Sequence, residues 1–285
     1  CGGLLDEFGS RRVIDTPISE KGIMGLGVGA SATGCRPIID LMFMDFLGEC
    51  MDEVANQMAK MRFMFGGKAT LPVTVLTMGG AGGGMAAQHS QSLEAWLAHL
   101  PGMKVVMPSD AYDAKGMIIA AARDDNPVFV VLNKQSLAMS MEVPEESYEV
   151  PIGEAVVRKQ GTDLTIVAFG RMVHEALDAA EQLKDVGLNV EVIDARSVQP
   201  FDTATVVASI KKTHRALIVH EAVKFGGIGG EISAQIQEEA FDYLDAPIMR
   251  VAAPFSPVPF SPALEKLYIP NAAGIVTKVK ETLGL

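Results

Sequence analysis

Five short β-rich runs recur through the first 133 residues: RVID (12–15), RPIIDLMF (36–43), PVTVLT (72–77), KVVMP (104–108) and PVFVVLN (127–133). Helical stretches separate them, near 22–33, 46–64, 90–98 and 111–124. Near-continuous apolar strands alternating with helices predict a parallel sheet covered on both faces.

Residues 135–160 lose this rhythm and carry prolines and charges, the mark of a linker. The alternation then resumes with DLTIVAFG (163–170), a helix to about Lys184 and NVEVIDA (189–195). A helix at 203–212, ALIVHEA (216–222), a helix from about Gly229, PIMRVAA (247–253) and a closing helix after Pro270 complete it. The expected fold class is therefore α/β with two domains, each a mainly parallel sheet flanked by helices. The expected division is 1–145, a linker at 146–160, and 161–285.

Composition narrows the partners. A net charge of −11 argues against nucleic acid and against anionic membranes. No apolar run reaches the ~20 residues of a membrane-spanning helix. The opening CGGLLDEFG carries neither a basic nor an apolar signal region, and a cytoplasmic setting is expected. Cys1, Cys35 and Cys50 are too few and too irregular for a disulfide framework or a zinc site. The start at Cys1, in what reads as a loop end and a short helix, leads us to expect a preceding segment. The 28 Gly and 16 Met point to close packing and buried subunit contacts.

Three glycine-rich segments invite a phosphate-loop reading. GGAGGG (79–84) follows a strand but lacks a following GK[ST], and FGGIGGE (225–231) only loosely resembles a dinucleotide turn. Tight turns or close packing account equally for both. In GIMGLGVGASATG (22–34) each helical glycine costs ~1 kcal/mol, so a close backbone approach is expected there. His89, in GMAAQHSQS, falls at the carboxyl-end crevice of the sheet, where a histidine can act as acid or base or simply bond a loop. His99, His174 and His214 read as structural; His220 stays open. The segment 41–65 holds six methionines and four phenylalanines and reads as core or interface packing. Phe46 stands apart, on the edge shared by Glu20 and His89, where a ring can support a planar ligand.

Taken together, DTPISE, RPI-x(5)-MDF, AAQHSQS and PGMKVVMPSDAYDAKG resemble the β subunit of the thiamine-diphosphate-dependent first component of 2-oxo-acid and acetoin dehydrogenase complexes. The resemblance runs from about Gly9 to the C-terminus. It implies a pyrimidine-binding domain, then a transketolase C-terminal-type domain, and an α2β2 assembly with sites between subunits. That superfamily holds the cofactor diphosphate through Mg2+ on a GDG motif, and this sequence contains no GDG. The Mg2+ half-site is therefore expected on an α subunit.

By the same resemblance, Glu20 bonds N1′ of the aminopyrimidine, Phe46 stacks on that ring, Ile18 lines the pocket and His89 faces the substrate. Val73, Ala121, Ala122, Asp124 and Asn126 fall at the positions of a structural K+ site, although Asp124 could simply end a helix. The chemistry asks for a poorly solvated Glu20, able to donate its bond to N1′. GIMGLGVGASATG, LMFMDF, MFGGKA, APFSPVPFSP and LEKLYIPN look most like acetoin dehydrogenase β subunits, with a small-molecule substrate and a lipoyl-bearing dihydrolipoyl acyltransferase as partner. A pyruvate or branched-chain 2-oxo-acid dehydrogenase β subunit is the alternative. An NAD-dependent oxidoreductase and a non-catalytic scaffold are more distant ones.

Overall fold

A computed structural model describes residues 2–285; Cys1 lies outside the described residues. The first half runs α1 (Leu4–Phe8), α2 (Glu20–Ala32), β1 (Ile38–Phe43), α3 (Met61–Met64), β2 (Thr74–Gly79), α4 (Glu94–Ala98), β3 (Lys104–Val106), α5 (Ala111–Arg123) and β4 (Val128–Asn133). The second runs β5 (Val156–Lys159), β6 (Leu164–Ala168), α6 (Met172–Lys184), β7 (Val190–Asp194), β8 (Ser197–Gln199), α7 (Thr203–Thr213), β9 (Ala216–Val223), α8 (Ile228–Ala240), β10 (Met249–Ala253), α9 (Pro262–Tyr268) and α10 (Ala272–Leu283).

The strands form two five-stranded sheets, ordered β1-β2-β4-β3-β8 and β10-β9-β6-β7-β5. Each is parallel except for one antiparallel edge strand, β8 in the first and β5 in the second. The central strands β6 and β7 are buried at every residue, as a sheet covered on both faces requires. Helix α5 shows how the pattern sets the packing. Its buried residues Asp113, Gly116, Met117, Ala120 and Ala121 recur at helical spacing, and the Asp110 side chain accepts the Asp113 amide at 2.7 Å as N-cap.

Several expectations differ from the fold. RVID (12–15) forms no strand. The run 46–64 is not one helix but a 3-10 segment (Met44–Cys50), a π-helical turn (Glu53–Met58) and α3. Residues 156–159, inside the expected linker, form β5. The most consequential difference is β8, a strand of the second half that hydrogen-bonds to β3 of the first sheet. The halves also share apolar packing: Phe129 and Val131 of β4 sit in one core with Val167, Ile193, Ile232 and Ile236.

Candidate functional site

Strands β1, β2 and β4 are parallel neighbours whose carboxyl ends align, Phe43 beside Met78 and Gly79 beside Asn133. Three loops therefore leave the same sheet edge: Met44–Cys50, the glycine loop 79–89, and Lys134 after β4. This is where ligands enter open α/β sheets. A register shift between Asp40 and Met42 marks a bulge in β1, where Met42 takes φ 61° and its amide donates to Asp40 Oδ1 at 2.9 Å. Bulges of this kind re-aim the residues that follow, here the turn carrying Phe43, Asp45 and Phe46.

The structure brings Phe46 and His89 together. Their rings meet edge to face at 5.6 Å, and Phe43 approaches the imidazole at 5.7 Å. His89 lies in a loop ahead of α4 rather than on the expected helix start, with its amide donating to Ala86 O at 3.3 Å. Glu20 opens α2, half-buried, and α2 packs on the Met44–Cys50 segment. Burial pushes the Cys50 thiol up to about 12, with the charges of Glu53 and Glu20 adding to the effect. Ile18 is 94% exposed. Phe46 and His89 thus meet at the sheet edge, Glu20 lies on the helix that packs against the Phe46 segment and near Cys50, and Ile18 stands exposed to solvent.

The glycine motifs serve packing. The amides of Ala81, Gly82 and Gly84 form an anion-binding nest, but the anions are the chain's own. Glu221 Oε1 accepts Ala81 N at 2.6 Å, and Glu265 accepts Gly82 N at 2.7 Å and Gly84 N at 3.1 Å. Gly227 and Gly229 close on His220, where an added Cβ would lie 2.7 and 2.6 Å from the ring. His174 and His214 contact the backbone carbonyls of Ser109 (2.8 Å) and Tyr243 (3.0 Å), as structural histidines do.

Behind the edge, Glu94, Arg171, His220, Glu221 and Asn133 line a cavity of about 10 Å3. One Glu94 carboxylate oxygen and both His220 ring nitrogens have no hydrogen-bond partner among the described residues. Burial pushes Glu94 up to about 7 and His220 down to about 4, the latter with help from Arg250. Sequence reasoning passed over this cluster and over Asp45, Lys134 and Glu265. It had one signal to hand: charged residues inside otherwise apolar runs, such as VVLNK and IVHEA.

The residues at the K+ positions cluster as expected, but their donors are engaged. Val73 O accepts Val128 N at 2.9 Å and Ala121 O accepts Asp124 N at 3.2 Å. Arg36 donates to Ala122 O (3.3 Å) and Asp124 O (2.9 Å), and Arg62 donates to Asn126 Oδ1 at 2.7 Å. The Asp124 carboxylate pairs with Lys104 and accepts both Asn126 N–H groups, which together hold it below the usual range against the opposing effect of burial. Arg36, Arg62 and Lys104 already face Ala122 O, Asn126 Oδ1 and the Asp124 carboxylate, a poor fit for K+ at those atoms.

Comparison with known proteins agrees with this architecture. Residues 2–139 match the family described as transketolase, pyrimidine binding domain, and residues 153–275 match transketolase, C-terminal domain. The chain is 50% identical over 282 residues to the acetoin:2,6-dichlorophenolindophenol oxidoreductase subunit beta of Bacillus subtilis (strain 168), covering 99% of this chain and 82% of that protein. The pyruvate dehydrogenase E1 component subunit beta of the same organism is 45% identical, covering 99% and 86%. A solved structure described as split gene transketolase, inactive beta4 tetramer, superposes with a TM-score of 0.83 at 26% identity, covering 100% of this chain and 88% of the other. The chain belongs to the transketolase-like family of a pyrimidine-binding domain followed by a transketolase C-terminal domain, among the β subunits of acetoin and 2-oxo-acid dehydrogenase first components.

Proposed function

We propose that this chain is the β subunit of a thiamine-diphosphate-dependent enzyme that cleaves acetoin and passes the two-carbon unit to a lipoyl group. The observation that carries the reading is the Phe46–His89 ring pair, on a segment that packs against the helix opened by Glu20. The half-buried Glu20 on α2 and the ring of Phe46 are residue types that fit an aminopyrimidine, one for its N1′ atom and one for its face. When bound, the cofactor supplies a carbon nucleophile for the ketone and a sink for the electrons left after cleavage.

The chain's own residues then have separate tasks. Glu20 holds the proton at N1′, Phe46 orients the ring, and His89 removes the hydroxyl proton of acetoin as acetaldehyde leaves. Phe43 and Phe46 keep water from two sides of that imidazole. With no GDG in the sequence, the diphosphate and Mg2+ belong to an α subunit; the resemblance to acetoin dehydrogenase β subunits implies an α2β2 assembly served by a lipoyl-bearing acyltransferase. The engaged donors around Asp124 give K+ no part in these steps. The second reading, a pyruvate or branched-chain 2-oxo-acid dehydrogenase β subunit, has the support of the 45% identical relative. There CO2 leaves and no hydroxyl proton need be removed.

The test is to co-express the chain with a GDG-containing α partner and assay acetoin, pyruvate and branched 2-oxo acids with thiamine diphosphate and an artificial electron acceptor. Turnover of acetoin above the 2-oxo acids is expected, and the reverse order selects the second reading. Glu20→Gln in the same assembly should lower turnover at least ~100-fold, the scale of a proton-transfer group. Near-wild-type turnover removes Glu20 from the mechanism.

A further inference from the structure

One ammonium group ties together every loop of the proposed site. Lys134 Nζ donates to His89 O at 2.5 Å and to Gly80 O at 3.2 Å, and lies 4.7 Å from the centre of the Phe43 ring. It also faces Asp45 Oδ2 at 3.7 Å, with both side chains almost wholly buried. Asp45 immediately precedes Phe46, and its other oxygen accepts both the backbone and the side-chain N–H of Gln91 at 3.0 Å. The pair thus grips the Phe46 segment at Asp45, and the His89 loop at the His89 carbonyl and again at Gln91. We propose that the buried Lys134–Asp45 pair is a positioning device that sets the Phe46 ring against the His89 imidazole.

The chemistry of the pair suits that task better than it suits stability. A buried ion pair is often no more stabilising than an apolar replacement of similar volume, but it specifies one arrangement of its surroundings. Asp45 Oδ2 has no hydrogen bond to offset its burial, so Lys134 is the only cation within reach of that oxygen among the described residues. Burial lowers the Lys134 pKa, and the charges of Asp45, Glu221 and Glu265 oppose that shift. Loops held only by backbone contacts could drift by an ångström, and a misplacement of that size can cost about 100-fold in rate.

The inference rests on the proposed roles of Phe46 and His89, and the experiment separates the two. In the assembled α/β enzyme, Lys134→Met is expected to lower kcat for acetoin about 100-fold, with little change in KM. It should also lower the thermal midpoint, because the Asp45 charge is left buried without a cation opposite it. The double variant Asp45→Asn/Lys134→Met removes that lone charge. It should regain the midpoint yet stay slow, which a merely structural role would not produce.

Recovery of turnover together with the midpoint, or an unchanged kcat in Lys134→Met, overturns the proposal. Should Lys134→Met fail to fold, Asp45→Asn decides by the same kcat criterion, since it keeps the shape and the acceptor for Gln91. Phe46→Ala tests the underlying reading through thiamine diphosphate affinity. Unchanged affinity sinks that reading, whereas lost affinity beside a fully active Lys134→Met sinks the positioning role alone.

Discussion

Glu94 is 2% exposed, and one of its carboxylate oxygens lacks a partner, so burial pushes its pKa up to about 7. The folded state therefore binds a proton more tightly than the unfolded chain, whose Glu titrates at its ordinary 4.5. Its contribution to stability is full below that value and is lost as pH rises through about 7. His220, in the same cavity, has the opposite sign. Its pKa falls from 6.5 to about 4, so its contribution is present above 6.5 and lost as pH falls through about 4. Glu94→Gln should therefore make the thermal midpoint climb more steeply between about pH 5 and pH 7 than in the parent. Parallel curves for parent and variant would count against this account. The meeting of Phe46 and His89 was legible in the sequence because each follows the carboxyl end of a readable strand. Lys134, Asp45, Glu94 and Glu265 were not, because their work depends on loops far apart in the chain meeting at one edge. The glycine loop was misleading for the same reason: the carboxylates that fill its amide nest come from β9 and α9.

Among the elements, α2 carries four glycines, and the structure divides them by face. Gly27 is buried against β1, where an added Cβ would lie 2.3 Å from Ile39 Cδ1. Gly29 is exposed with open space around it, and Leu26 beside it is 57% exposed. Close packing therefore explains only one side of the helix. Gly27→Ala gains helix propensity but must displace Ile39, so it should destabilise the chain by up to about 2 kcal/mol net. Gly29→Ala should stabilise it by up to ~1 kcal/mol through helix propensity. Urea unfolding of the two variants checks the contrast; equal signs would mean the faces are misassigned. Most strands and long helices were legible from periodicity, since apolar runs bounded by turns leave little choice. The 46–64 run was not, because the same Met- and Phe-rich spacing suits an α-helix, and only the packing with α2 selects tighter and wider turns. Strand β8 gave no signal either: three residues cannot show a period.

At the scale of the molecule, the two halves are joined by a charged clamp built from the motif PSDAYDAKG. Asp113, wholly buried, accepts two bonds from Arg196 (2.9 and 2.7 Å) and pairs with Arg158. Asp194, equally buried, accepts Arg158 (3.1 and 2.9 Å) and Ser109 (2.6 Å). A stretch that carried the family resemblance thus proves to hold the domains together. Asp113→Ala leaves both guanidinium groups short of a partner and should cost about 3–5 kcal/mol in chemical denaturation. A loss no larger than the ~1 kcal/mol of a surface pair would refute the clamp. The two-domain α/β organisation was readable from the alternation alone; that the second half would complete the first sheet was not. That shared sheet has a mechanical meaning. A chain whose later half supplies a strand to its earlier one cannot swing open about residues 146–160 as a hinge without unzipping β8 from β3.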